Sequence, residues 1–223
     1  MQSLKKKLRI DGAFNRSNEN YFFSIAGALD TSRIIEKTLR LPYKKFIENS
    51  PILDHKIYND DLFDESDGVS LSLTTASCYE SALTMSVTGG IMKRFGINDD
   101  RLRIRIHTCL HEAIINSVLH GNLQVKSNFY NADELYKNQE IIFNRLGIDL
   151  YRYKRVNILI WNNKKFLKIG VRDDGNGFEL SDYIKTDGKA RTSFFGRGLA
   201  FINSMANEVY QSADKRTLFM VFE

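Results

Sequence analysis

The stretch from Val156 to Phe178, "VNILIWNNKKFLKIGVRDDGNGF", constrains the fold most. Two runs rich in β-branched and apolar residues flank "WNNKK", which is the pattern of a β-hairpin. The second run then leaves its strand through two acids and two glycines spaced by one residue. Asp, Asn and Gly all tolerate tight, left-handed backbone, so "VRDDGNGF" reads first as a turn. The same residues also suit a ligand site, where glycine admits a ligand to the backbone and a fixed carboxylate accepts a hydrogen bond. The hairpin alone does not choose between the two.

Other segments decide what lies against the hairpin. "GVSLSLTT" alternates Val69, Leu71 and Leu73 with serines and predicts a half-buried strand. Tyr79, Leu83, Val87 and Ile91 recur at helical spacing, in a helix weakened by Gly89 and Gly90. "NDDRLRIRIHTCLHEAIINSVLHGN" predicts a longer helix. Asn98 or Asp99 caps it, Leu102, Ile106, Leu110, Ala113 and Ser117 form its inner stripe, and Gly121 ends it. "GRGLAFINSMANEV" predicts another helix, and "EVYQS" with "TLFMVFE" a closing strand pair around "ADKR". Long helices against a mostly hairpin-connected sheet predict an α+β fold. It is a two-layer α/β sandwich, with a mixed, mostly antiparallel sheet and helices on one face.

The first 65 residues are mixed, with a helix expected in "LDTSRIIEKTLRL" and a linker or loop in "NDDLFDESDG". They form an N-terminal segment of unknown role before a domain over 66–223. Residues 123–154 are polar and tyrosine-rich, an insertion with a helix near 132–146.

A chain of 223 residues, 43% hydrophobic, suits one substantial domain. No apolar run reaches the roughly 18 residues of a membrane span, and the basic N-terminus lacks the apolar block of a secretory signal. Cys78 and Cys109 read as buried residues of a reduced cytoplasm. The net charge of +5 admits anionic partners. The clusters Lys5–Lys7 and Arg101, Arg103, Arg105 read as solvated faces, and no nucleic-acid-binding motif is present.

Three stretches carry chemistry together. In "HEAIINSVLHGN", Glu112 and Asn116 are four apart and share a helix face. "VRDDGNGF" supplies Asp173, Gly175 and Gly177. "FGRGLAF" puts Gly196 and Gly198 around Arg197 at a helix start, where free N–H groups favour anions. Each alone reads as a surface stripe, a turn or a flexible loop. In this order they resemble the GHKL ATPase superfamily, with Glu112 and Asn116 as its N-box, Asp173, Gly175 and Gly177 as its G1 box, and Gly196, Arg197, Gly198 and Leu199 as its G2 box. "GRGLAFINSMANEV" and "NSVLHGN" are most similar to the anti-sigma regulatory factors, small serine/threonine kinases. The resemblance covers about 66–223.

The resemblance implies ATP and Mg²⁺ as cofactors. Asp173 would accept a hydrogen bond from the adenine amino group, and Gly175 and Gly177 would keep the pocket wall bare. Asn116 would hold Mg²⁺ through its amide oxygen. Backbone N–H groups from Gly196 to Leu199 would face the phosphates, with Arg197 adding charge, and Thr217 would line the adenine side. Glu112 would be the general base of phosphoryl transfer. His111 and His120 straddle this stretch and read as local caps or packing, and neither metal binding nor phosphohistidine is expected of His107, His111 or His120.

The function so implied is a cytoplasmic ATP-binding regulator that phosphorylates a small antagonist protein on serine and sequesters a sigma factor or similar target. The resemblance also implies a homodimer, and neither nucleic acid nor membrane is an expected partner. Two other readings stand beside it: a binding module switched by ATP without phosphoryl transfer, and a histidine-kinase catalytic fragment.

Overall fold

In the computed structural model of the chain, the described residues are 22–25, 35, 39, 44–48, 50, 68–80, 83–125, 132–181 and 197–223. The expected helix in "LDTSRIIEKTLRL" and the linker "NDDLFDESDG" lie almost wholly outside them, as does Gly196.

The described residues form an α+β fold around a mixed sheet of seven strands. The strands are β1 (Phe22–Ile25), β2 (Lys45–Glu48), β3 (Val69–Thr74), β4 (Arg155–Asn162), β5 (Leu167–Asp173), β6 (Glu208–Gln211) and β7 (Thr217–Phe222). Their order across the sheet is β1-β2-β3-β4-β5-β7-β6. β1 to β3 run parallel to one another, and every other pairing is antiparallel. The first 65 residues therefore supply two strands at one edge, and Ile35, Leu39 and Phe46 enter the core.

The helices are α1 (Thr75–Glu80), α2 (Leu83–Phe95), α3 (Asp100–Asn116), α4 (Ala132–Leu146), α5 (Asp149–Arg152) and α6 (Arg197–Met205). The hairpin β4–β5 and the closing pair β6–β7 form as their sequences predict, and α4 fills the expected helix near 132–146. Gly90 of α2 has a packing reason: a Cβ there would stand 2.8 Å from Leu39 Cβ, so only a bare backbone lets the two segments touch.

Side chains alternate through the sheet. Val156, Ile158 and Ile160 of β4 stand opposite Asp173, Val171 and Ile169 of β5, and Leu218, Met220 and Phe222 of β7 continue that face. These apolar residues join Ile106, Leu110, Ala113 and Ile114 of α3 in one core. The second face carries Ser70, Ser72, Leu159, Trp161, Phe219 and Val221. β3 departs from the half-buried strand its serines predict: all six residues are buried, because Ser70 and Ser72 face Leu159 and Asn157 in the middle of the sheet.

Candidate functional site

The candidate site is built at the C-terminal end of α3. The helix starts on Asp99, whose Oδ1 accepts from the N–H groups of Arg101 and Leu102 at 2.8 and 3.2 Å. This satisfies two of the donors that a helix N-terminus leaves free. Of the expected inner stripe, Ile106, Leu110, Ala113 and Ser117 are buried and Leu102 is half-buried; Cys109 and Ile114 join them.

The helix does not stop at Gly121. From Ser117 to Asn122 it widens into a π-helix, closed by Leu123 N–H donating to Val118 O at 2.9 Å. Such π-turns are uncommon and often mark functional sites. Here the widened turn lays the Gly121 backbone directly on the end of β5. A Cβ on Gly121 would collide with the Asp173 carboxyl group. Gly175 closes the same contact from the other side: its Cβ would stand 2.6 Å from Gly121 O and 2.7 Å from Asp173 Oδ1.

Asp173 is 8% exposed. Its Oδ1 accepts from Gly175 N–H at 2.8 Å, and the Ser117 hydroxyl donates to the carboxylate. Burial raises its pKa above the ordinary 3.8, and the Asp174 charge adds to the rise. The Gly175 and Ser117 hydrogen bonds and Arg172 work against it. Burial wins, as it does where a carboxylate has few full charges facing it.

The residue missed by sequence reasoning is Asn122, which is fully buried. Its Nδ2 donates to Thr75 Oγ1 at 2.9 Å and to Arg155 O at 3.0 Å. Its Oδ1 accepts from Asp174 N–H at 2.9 Å, and Asp174 Oδ2 accepts in turn from Arg155 N–H at 2.7 Å. Both amide hydrogens and the amide oxygen are thus used, and one side chain ties the π-helix to α1, β4 and the end of β5. The signal was a polar amide directly after the glycine expected to end the helix.

α6 closes the other side. It lies along α3, held by Arg105 Nε donating to Met205 O at 2.7 Å and by Cys109 Sγ within 3.9 Å of Ile202 O. Arg105 is thus no solvated residue: its cation sits at the carboxyl end of α6, where the helix field favours it. This docking aims the start of α6 at Glu112 and Asn116. A Cβ on Gly198 would run into Glu112 Oε2 and stand 3.3 Å from Asn116 Nδ2. Leu199 turns into the core.

The expected residues therefore divide. Glu112, Asn116 and Gly198 are brought together, and Asp173 and Gly175 meet one π-turn further along beside Gly121. Arg197 opens α6. Gly177 is placed elsewhere: it has φ +78°, and a Cβ there would stand 2.8 Å from Lys215 O, so it serves the packing of the β6–β7 turn. Thr217 does not join Asp173. It pairs with Arg172, so its side chain leaves the second face of the sheet, where Oγ1 accepts from Arg172 at 3.2 Å. The reason is the two-residue period of a strand: one step in register exchanges the faces. His120 packs locally as expected, its Nδ1 donating to Val125 O at 2.8 Å.

Neither a scan against protein-family models nor a search of the curated proteins finds a match for this chain.

Proposed function

We propose that this corner binds ATP with Mg²⁺ and that the protein is a regulatory serine/threonine kinase of the anti-sigma type, with a GHKL-like fold. The observation that carries the reading is the meeting of three segments far apart in sequence. Gly198 abuts Glu112 and Asn116, while Asp173 lies beneath Gly121 and Gly175.

The residues present fit such a ligand. Asp173 is a buried acceptor at the mouth of a cradle walled by backbone, suited to an amino group donating from a flat ring. The Asn116 amide oxygen is a hard donor of the kind Mg²⁺ takes alongside phosphate oxygens and water. The start of α6 offers backbone N–H groups to phosphates. In phosphoryl transfer Glu112 would take the proton of an acceptor serine hydroxyl, and Asn116 would hold the ion against the phosphates. Thr217 leaves the sheet on the face opposite Asp173 and has no part in this reading, and Gly177 packs against Lys215.

The test is to incubate the purified chain with Mg·ATP and candidate small antagonist proteins and to look for phosphoserine. Glu112→Gln keeps the shape but cannot accept the proton. It should leave ATP affinity within a few-fold and slow transfer or hydrolysis by roughly 10²–10⁴. ATP binding with no transfer to any partner, and with hydrolysis equally negligible in both proteins, would replace the kinase with an ATP-switched binding module. Absence of ATP binding would end both readings.

A further inference from the structure

Outside this corner, α3 carries a second chemical feature, which the nucleotide reading does not use. His107 and His111 lie one turn apart on the helix. Their rings are nearly parallel, 12° apart, with centroids separated by 6.4 Å. His111 is exposed and His107 half-buried. Among the described residues neither ring is spent on a hydrogen bond or an ion pair. The nearest charged pair on the helix, Asp100 with Arg103 at 3.1 Å, is satisfied within itself.

We propose that His107 and His111 form a clamp for a divalent transition-metal ion, Zn²⁺ being the representative, with water completing the coordination shell. Two histidines at i and i+4 on one helix face are a recurrent way of holding zinc, because a single turn presents both imidazoles to one point. Bound at about 2.0–2.1 Å from each nitrogen, one ion would draw the ring centroids to roughly 5 Å. The exposed His111 ring supplies that movement by rotating about its side chain, with no change in the helix.

Imidazole must be neutral to bind metal. Burial, the neighbouring His111 and Arg103 all hold His107 below its ordinary pKa of 6.5, so its ring is uncharged at neutral pH. The ligands also separate this site from the Glu112–Asn116 corner. Two nitrogens select a borderline ion such as zinc, whereas the amide oxygen of Asn116 suits Mg²⁺. The clamp does not depend on the ATP reading.

The experiment titrates tag-free, full-length protein with ZnCl₂ at neutral pH by calorimetry, beside thermal melting with and without the ion. The parent should take up about one Zn²⁺ at this site, and its melting midpoint should rise, because an ion that binds only the folded state stabilises it. His111→Gln and His107→Gln should each weaken that binding tenfold or more and cancel the rise. MgCl₂ at the same concentration should give no rise in parent or variant. Metal-free melting of His111→Gln should match the parent, since the ring is exposed, which keeps the test decisive even where His107→Gln perturbs packing. Zinc affinity and melting rise that survive in His111→Gln, or a parent that binds no zinc at millimolar concentration, would overturn the proposal.

Discussion

Asp173 and Arg172 are adjacent on β5 and leave the sheet through opposite faces. Asp173 stands under the π-turn of α3, walled by Gly121 and Gly175, and its strongest partner is a neutral backbone N–H. Arg172 reaches the other way, to Thr217 Oγ1 and to Asp214, whose carboxylate lies 2.7 Å off and 48% exposed. The two carboxylates shift in opposite directions as a result. Burial raises Asp173, while the Arg172 hydrogen bond holds Asp214 well below the usual carboxylate range. A single strand end thus carries a charge kept at a cost on one face and a charge that is paired on the other. On the ATP reading the first is the functional group, a charge that stability alone would not select.

The largest effect should come from filling the cradle itself. A methyl group on Gly175 meets the backbone oxygen of Gly121 at 2.6 Å, which cannot rotate away as a side chain could. Gly175→Ala should therefore destabilise the protein by about 1–3 kcal/mol, the usual cost of overpacking. On the ATP reading it should also abolish nucleotide binding. Urea unfolding checks the first expectation and calorimetry with Mg·ATP the second. A variant as stable as the parent would mean that the close approach of the π-turn to β5 is not kept in solution.

Next comes the direct contrast of the two faces. On the ATP reading, Asp173→Asn should weaken nucleotide binding roughly ten- to hundredfold, corresponding to about 1.5–3 kcal/mol for a hydrogen bond to a charged group. Its effect on stability has the opposite sign. A carboxyl whose folded pKa is raised binds more protons folded than unfolded between 3.8 and its folded value. Stability is therefore lost as pH rises through that window, and the penalty persists at pH 7. Asp173→Asn removes the penalty and should be no less stable than the parent at pH 7. Thr217→Val should behave in reverse, leaving nucleotide affinity unchanged and costing about 0.5–1.5 kcal/mol through the lost Arg172 hydrogen bond. Loss of affinity in Thr217→Val with none in Asp173→Asn would exchange the two faces and sink the assignment.

That exchange shows what the sequence could carry. Elements with a strong local period were legible, including the β4–β5 hairpin, the Asp99 cap of α3 and the helix at 132–146. Three features were not. Four-residue strands such as β1 and β2 have too few residues to display a period, and they join the sheet by parallel pairing, β1 on β2 and β2 on β3, between partners distant in sequence. Ser70 and Ser72 look solvent-facing by type, but their burial is set by neighbouring strands. The π-turn moves Gly121 and Asn122 out of helical phase, so spacing could align Glu112 with Asn116 but could not foresee Asn122 beneath Asp174. For the site, residue types and order brought Glu112, Asn116, Gly198 and Asp173 into view. Thr217 shows why a strand residue needs its register as well as its type: paired with Arg172, it leaves the sheet on the face opposite Asp173.

The smallest effect should appear at Asp214, and it sharpens the comparison by its pH dependence. Asp214 is paired with Arg172 and also accepts from the Ser212 hydroxyl at 2.6 Å and Arg216 N–H at 3.2 Å. Its folded pKa is depressed, so its contribution is present above the unfolded value near 3.8 and is lost as pH falls through the folded value. The group is half in solvent, and water screens the pair, so that contribution should be only a few tenths of a kcal/mol. Asp214→Asn should accordingly lower stability slightly at pH 7, by less in 1 M salt, and progressively less as pH drops below the carboxylate range. Asp173→Asn should trace the opposite course, gaining on the parent as pH rises above 3.8. Denaturant midpoints of both variants across pH 3–7 would display the two slopes side by side. Slopes of the same sign would mean that Asp173 is solvated and paired like Asp214, and that the glycine-walled corner holds no isolated charge.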